Sequence, residues 1–346
     1  EHFMLGQGTI YPDTIESGAT KNADKIKTHH NRVPEIQEMI DQGLVIEPLE
    51  QLYKDEVRQL GEALGLPHHL VWRHPFPGPG LAIRMLCTGE EKREQGKEES
   101  TKDSSVSLFP RLKEDEKLAN EYLEQHGLKG TILPLRSVGV QGDARTYRHP
   151  LAIWPTGRSS ESEGGPADGN WEKHWDKDQL HDIATTLTNR FESINRVVFT
   201  LSSLNSLHSF SLLPGKTLTP DRVSIIQDAD KIVMDSIMDF DDQEKSIWQC
   251  PTVLLPIGSS NDQNTSSLPT GQAGNDQSQE ASSLKPQAEA LLLRPVSSID
   301  AMTADATIIP AEELKKIVSQ LSALDPKPSA IFYDLTNKPP GTIEWE

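Results

Sequence analysis

The chain is short of several things, and each shortage narrows what it can be. Cysteine occurs twice in 346 residues, at Cys87 and Cys250, with no CxxC partner, so neither a disulfide framework nor a zinc site is supported. That usage fits a reducing, cytosolic setting. No run of 18 or more apolar residues occurs and the N-terminus lacks a basic-then-apolar leader pattern, so neither a membrane span nor a signal peptide is expected. Basic residues are outnumbered: 34 Lys and Arg against 52 Asp and Glu give a formal charge of −18. General binding to nucleic acid or to an anionic membrane is therefore not expected, while a local basic site for a small anion stays open. Hydrophobic residues make up 35% and mean hydropathy is −0.52, low for one compact body, so polar inserts are expected to dilute about two folded domains. The chain opens on Glu1-His2-Phe3-Met4-Leu5, already apolar and without an initiator Met, which leads us to expect a piece of a larger protein.

What is there is organised around Arg73-His74-Pro75-Phe76-Pro77-Gly78-Pro79-Gly80-Leu81-Ala82-Ile83-Arg84. Proline fixes φ and glycine permits positive φ, so Pro75 to Gly80 reads as a rigid turn with exposed backbone amides. Arg73 and Arg84 flank it and would suit an anion such as a phosphate. A tight interdomain turn is the alternative. Upstream, Phe3-Met4-Leu5 running into Gly6-Gln7-Gly8-Thr9 reads as a buried strand ending in a glycine turn, the place where open α/β sheets bind ligands. Asp13 and Glu16 then stand three apart beyond Pro12, on one helical face; they can hold a metal or a basic group, or simply complement the helix dipole. Lys25 to Arg32 gathers Lys27, His29 and His30 in a polar stretch that fits a solvated loop or an active-site lid. Adjacent histidines diverge and no HxxxH spacing or cysteine supports them, which argues against zinc.

Elsewhere the pattern is architectural. Val57, Leu60 and Leu64, stopped by Gly65 and Pro67, predict a packing helix over Tyr53 to Gly65. Amphipathic spacing predicts further helices at Leu180 to Phe191, from Thr219-Pro220 through Ile237, and at Leu314 to Leu324. Strands are expected over Thr131 to Val140, Arg196 to Leu201, Thr252 to Pro256, Leu291 to Val296 and Ala330 to Asp334, with a turn carrying Asp143 between Gln141 and Tyr147. Polar inserts are expected at about 88–125, partly helical near Leu118 to Leu123, and at about 154–175 and 258–287. The C-terminal Lys338-Pro339-Pro340-Gly341-Thr342-Ile343-Glu344-Trp345-Glu346 does not trail off into a polar tail and is expected to be docked.

Five stretches resemble, in order, the glutamine-hydrolysing GMP synthases: Leu5 to Ser17, Ile26 to Asn31, Arg73 to Arg84, Val138-Gly139-Val140-Gln141-Gly142-Asp143, and Lys338 to Glu346. The resemblance implies an incomplete doubly wound α/β nucleotide-binding domain over 1–75, the end of an ATP pyrophosphatase, followed by an α+β dimerisation domain over 76–346. It implies a ligase that adenylates XMP with ATP and Mg2+ and aminates it to GMP with glutamine-derived ammonia, as a cytosolic homodimer. It further implies that Asp13 and Glu16 serve adenylation and that Lys27, His29 and His30 belong to a lid over the nucleotide. Pro77, Gly78, Pro79, Gly80, Asp143, Gln249, Lys338 and Glu344 would bind XMP. Within that set Lys338 suits the 5′-phosphate as a point charge, assisted by Gln249, whereas Asp143 and Glu344 suit ribose hydroxyls or base N–H groups. No metal ligand is assigned.

The departures are specific. These residues contain neither the family's Cys-His-Glu glutaminase triad nor its Ser-Gly-Gly-Val-Asp-Ser phosphate loop. A non-catalytic XMP-binding or dimerisation module is the alternative, and retention of Asp13, Glu16 and Lys27 favours the ligase. The 346-residue chain by itself is expected to be catalytically silent in ammonia-dependent and glutamine-dependent GMP formation assays; ATP-dependent turnover by the pure chain would overturn this expectation.

Overall fold

Which residues can pair, and which must hide from water, divides the chain into two units, 1–74 and 75–346. The computed structural model describes residues 3–13, 33–89, 105–141, 144–156, 171–203, 210–240, 247–259, 288–298 and 303–346.

In the first unit, strand β1 (Leu5–Gly6) pairs in parallel with β2 (Val45–Ile46), and helix α1 (Pro34–Asp41) precedes β2. Pro34 opens α1 where a missing N–H costs nothing. Helix α2 (Lys54–Ala63) forms as its spacing predicts, with Glu56 accepting the Tyr53 N–H, and Gly65 follows it at φ +83. Its packing differs from the expectation: Leu60 and Leu64 stay exposed, while Gly61 is buried against Leu66 and Val71, the latter in the short α3 (His68–Val71). The contact runs through the residue without a side chain, so hydrophobic spacing did not reveal it.

The second unit is built on a mixed seven-stranded sheet. Its strands are β3 (Leu128–Ile132), β4 (Ser137–Gln141), β5 (Ala144–Pro155), β6 (Ile194–Ser203), β8 (Thr252–Leu255), β10 (Ala290–Leu293) and β13 (Ala330–Asp334). A short β7 (Phe210–Leu212) pairs with β9 (Ile257–Ser259), and β11 (Val296–Ser297) with β12 (Asp305–Ala306). The order is β3-β5-β6-β13-β10-β8, with β4 also on β5. Strands β5 and β6, and β10 and β13, run parallel; the other neighbouring pairs are antiparallel. Parallel neighbours need crossovers. Helix α5 (Lys177–Arg190) lies between β5 and β6 in the chain, and α7 (Ala311–Leu321) between β10 and β13.

Alternation along the strands sorts side chains onto two faces. Ile331 and Tyr333 join Leu291, Leu293, Val197 and Phe199 in the larger core, which includes α5 (Leu180, Ile183, Leu187), α7 (Leu314, Ile317, Leu321) and α6 (Pro220–Phe240; Ile226, Val233, Ile237). Ala330 and Phe332 point the other way, into a second cluster with Leu292, Val198, Leu255 and Trp345. Several segments depart from the sequence reading: Phe3, Met4 and Leu5 are exposed where a buried strand was expected, Trp154 of β5 and Trp171 are buried within the stretch read as an insert, and the strand expected over Leu291 to Val296 is divided between β10 and β11 at Pro295. The expected strand over Thr131 to Val140 is two strands, because Pro134 has no N–H for a ladder. The polar stretch before residue 125 contains helix α4 (Ser105–Leu123), whose Ala119 and Leu123 are fully buried; exposed Lys113, Glu114, Lys117 and Glu121 supply charge that made it read as an insert.

Three adjacent strands contribute the charges that lock this unit. Arg196 of β6, Arg294 just after β10 and Asp334 at the end of β13 are all 0% exposed. Asp334 Oδ2 accepts from Arg196 Nη1, lies 2.9 Å from Arg294 Nη1 and accepts from Trp345 Nε1, while Oδ1 accepts the Thr336 N–H. Burial alone would raise the Asp334 pKa, but the two guanidiniums outweigh it and hold the carboxyl below its ordinary range. Burial and the neighbouring Arg294 bring Arg196 down to about 9. A carboxylate depressed in the folded state adds stability that is present above the unfolded pKa of about 3.9 and is lost as pH falls through the folded value. Asp334→Asn is expected to destabilise the fold by about 3–5 kcal/mol at pH 7, since it strands two buried cations. It should also flatten the loss of stability of the wild type below about pH 4, both read from denaturant titrations across pH.

Candidate functional site

The terminal segment 335–345 is threaded through the second unit by backbone pairing that its own sequence dictates. Prolines at 339 and 340 donate no N–H, so their neighbours carry the bonds: Lys338 exchanges both backbone hydrogen bonds with Ala304, and the Val140 N–H donates to Pro340 O at 2.8 Å. Val138 N–H donates to Trp345 O at 3.0 Å. Gly139 faces Gly341 across an isolated antiparallel bridge, and a Cβ on Gly139 would stand 2.7 Å from Pro340 O. Only glycine allows that approach. Arg196 Nη2 donates to Val138 O, Thr342 O and Glu344 O, and Arg294 Nε to Thr342 O and Ile343 O. Arg294 Nη2 is buried and has no hydrogen-bond partner among the described residues.

This scaffold holds several of the residues expected to bind XMP, Gln249, Lys338 and Glu344 among them. The turn before Arg84 closes with Gly80 N–H on Pro77 O at 2.9 Å and Gly80 at φ +69, then runs into a 3-10 helix, Gly80–Arg84. Among the described residues nothing stands within 4 Å of where a Cβ on Gly78 would be. Arg84, expected to face an anionic ligand, is instead 3% exposed and bound inside the protein. Its Nε and Nη2 reach Glu344 Oε2 and Oε1 at 3.3 and 3.1 Å, its Nη1 lies 3.5 Å from Asp230 Oδ1 on α6, and its guanidinium sits 4.6 Å from the Phe76 ring centroid. Burial raises the Asp230 pKa, and the charge of Arg84 opposes that rise.

Gln249 donates through Nε2 to Pro75 O, and its backbone pairs with Val296. It therefore ties the turn to β11, a role its weakly patterned surroundings did not announce. Lys338 is half-buried and pairs by its backbone with Ala304, next to β12. Turn, Gln249, β11, β12, Lys338 and Glu344 thus form one connected set. In the first unit Asp13 accepts the Ile10 N–H at 3.1 Å, the helix-start role open to such a carboxylate. Glu16, Lys27, His29, His30 and Asp143 lie outside the described residues. A separate cavity of about 440 Å³ opens beside the start of α6; there Arg222 and Glu289 are nearly buried and satisfy one another.

Sequence reasoning missed Arg196, Arg294, Asp334 and Asp230. A signal existed for the first three, since each interrupts or ends an apolar strand and a charge there must be paired. Asp230 had none.

Residues 116–206 and 285–345 match the family model described as the GMP synthase C terminal domain. The chain is 40% identical over 345 residues to a probable glutamine-hydrolysing GMP synthase of Leptospira interrogans, covering 99% of this chain and 47% of that protein. It is 33% identical over 376 residues to the GMP synthase of Dictyostelium discoideum, covering 100% and 47%, and 43% identical over 207 residues to that of Ligilactobacillus salivarius, covering 58% and 35%. The second unit therefore carries a GMP synthase C terminal domain. The chain as a whole spans about half the length of the first two relatives.

Gly139→Ala is expected to push Pro340 away and loosen residues 338–345, costing about 1–3 kcal/mol. Hydrogen exchange should show the Val138 and Val140 amides losing protection, while the β6 and β13 amides keep theirs.

Proposed function

We propose that, within its full-length protein, this chain takes part in converting XMP to GMP in purine nucleotide biosynthesis. The 2-oxygen of XMP attacks the α-phosphorus of ATP and the bond to pyrophosphate breaks; ammonia then adds at C2, gives up a proton, and AMP leaves. The urea-like oxygen is a poor leaving group until it carries AMP, so the protein's contribution is positioning and charge stabilisation. The observation that carries this reading is the connected set of the Pro77-Gly78-Pro79-Gly80 turn, Gln249, Lys338 and Glu344, all held by backbone or buried charge.

In this reading Lys338 meets the 5′-phosphate as a point charge. Glu344 accepts from ribose hydroxyls or base N–H groups, and Asp143 shares that work. The turn borders XMP, and Gln249 supports it through Pro75. Asp13 and Glu16 serve adenylation, and Lys27, His29 and His30 close over the nucleotide. Mg2+ enters with ATP. Among the described residues no group of three or more His, Cys, Asp or Glu is placed to hold a metal, so no step is assigned to a protein-held ion. Residues 1–75 are then the end of a doubly wound ATP pyrophosphatase domain, and 76–346 an α+β domain that pairs two copies. Ammonia comes from glutamine. Among the described residues no helix is long and apolar enough to cross a membrane, and we place the enzyme in the cytosol.

In the full-length protein, Lys338→Ala is expected to raise the KM for XMP about 10–100-fold, the loss of a charge-assisted contact, and to leave the KM for ATP nearly unchanged. Steady-state AMP release with each nucleotide varied in turn measures both, and equal increases would count against the assigned role.

A further inference from the structure

We propose that Arg84 is a positioning residue that aims the Glu344 carboxylate, and that the two lone pairs left free take a two-donor edge of the nucleoside part of XMP; this rests on the function proposed above. The contact is two-pointed, Nε to Oε2 at 3.3 Å and Nη2 to Oε1 at 3.1 Å, so the carboxylate is turned into the guanidinium plane. Each oxygen then keeps acceptor capacity on the side away from Arg84, a geometry that fits vicinal hydroxyls or ring N–H groups.

The guanidinium is itself immobilised. Its remaining edge faces Asp230 at 3.5 Å, and its face lies 4.6 Å from the Phe76 ring centroid. Its backbone is anchored by the pairing of Met85 and Leu86 with Leu254. One buried side chain thus touches α6, the terminal segment and the Pro75 to Gly80 turn. A merely structural ion pair would be redundant here. Arg196 and Arg294 already hold the backbone carbonyls of Thr342, Ile343 and Glu344. In that segment Arg84 meets the Glu344 side chain instead. The two buried arginines fix where the segment lies, and Arg84 fixes where its carboxylate points.

The test uses the full-length protein, with AMP release followed while XMP and ATP are varied, for Arg84→Gln, Arg84→Lys, Glu344→Gln and the double variant Arg84→Gln/Glu344→Gln. Arg84→Gln is expected to raise the KM for XMP about 10-fold or more with the KM for ATP within about 2-fold. Arg84→Lys, which keeps the charge but grips one oxygen, should recover part of that loss. The double variant should be no worse than Glu344→Gln alone, because Arg84 acts through that carboxylate. 2′-Deoxy-XMP separates the donor sources: an Arg84→Gln penalty that disappears with it assigns the edge to the ribose, and one that persists assigns it to the base. Equal rises in both KM values, or full additivity in the double variant, would overturn the inference while leaving the proposed function standing. A wild-type protein without XMP-dependent AMP release would overturn the proposed function and this inference together. Thermal melting of each variant, expected close to wild type for Arg84→Lys, keeps a folding defect from being read as a binding one.

Discussion

Two arginines sharing one carboxylate, with no water-exposed atom surface to speak of, is the arrangement on which the second unit depends. Arg196, Arg294 and Asp334 are each 0% exposed. Such a cluster carries a surplus positive charge into a low-dielectric interior, and most of its remaining N–H groups find acceptors there, Arg294 Nη2 being an exception among the described residues. Here the acceptors are the main-chain oxygens of Val138, Thr336, Thr342, Ile343 and Glu344. The terminal segment is therefore part of the solvation shell of the buried charges. Removing it would leave the arginines unsatisfied, and removing the arginines would leave its carbonyls unpaired.

That mutual dependence gives a rigid base on which more adjustable contacts can sit. Glu344, Asp230 and the turn around Phe76 are partly exposed and converge on Arg84, one layer out from the buried cluster. Lys338 and Gln249 hold positions set by the β11–β12 ribbon. Backbone pairing supplies the placement and side chains the chemistry. This division suits a reaction in which the protein must hold a small molecule still and forms no bond to it.

Most of the architecture was legible from periodicity. The stripes Leu180, Ile183, Leu187 and Leu314, Ile317, Leu321 became the buried faces of α5 and α7, and Ala330 to Asp334 became a fully buried strand. Periodicity failed where the deciding atom was missing or ambiguous: at Pro134, which splits one apolar run into two strands, at Gly61, which packs through its lack of a side chain, and across α4, where exposed charge masks a buried edge. The docked terminus was readable because prolines and Trp345 are out of place in a loose tail. The partnership of Arg84 was not readable. Its sequence neighbours suggested an anion from outside, and its carboxylate lies 260 positions further along the chain. The charge itself was visible in the sequence; which carboxylate meets it was not.

The distance along the chain between the members of the buried cluster has a bearing on how the molecule is made. Arg196 is separated from Asp334 by 138 positions and from Thr342 by 146. During synthesis, the residues of β5, α5 and β6 are made well before Asp334, the carboxylate that pairs with Arg196. Ser137 Oγ and Val138 O precede Arg196 in the chain and can accept from it, but the charge itself is met only through a contact of long sequence separation, the slow kind to form. The charge of Arg196 is thus met by a segment made later, the same one that carries Lys338 and Glu344.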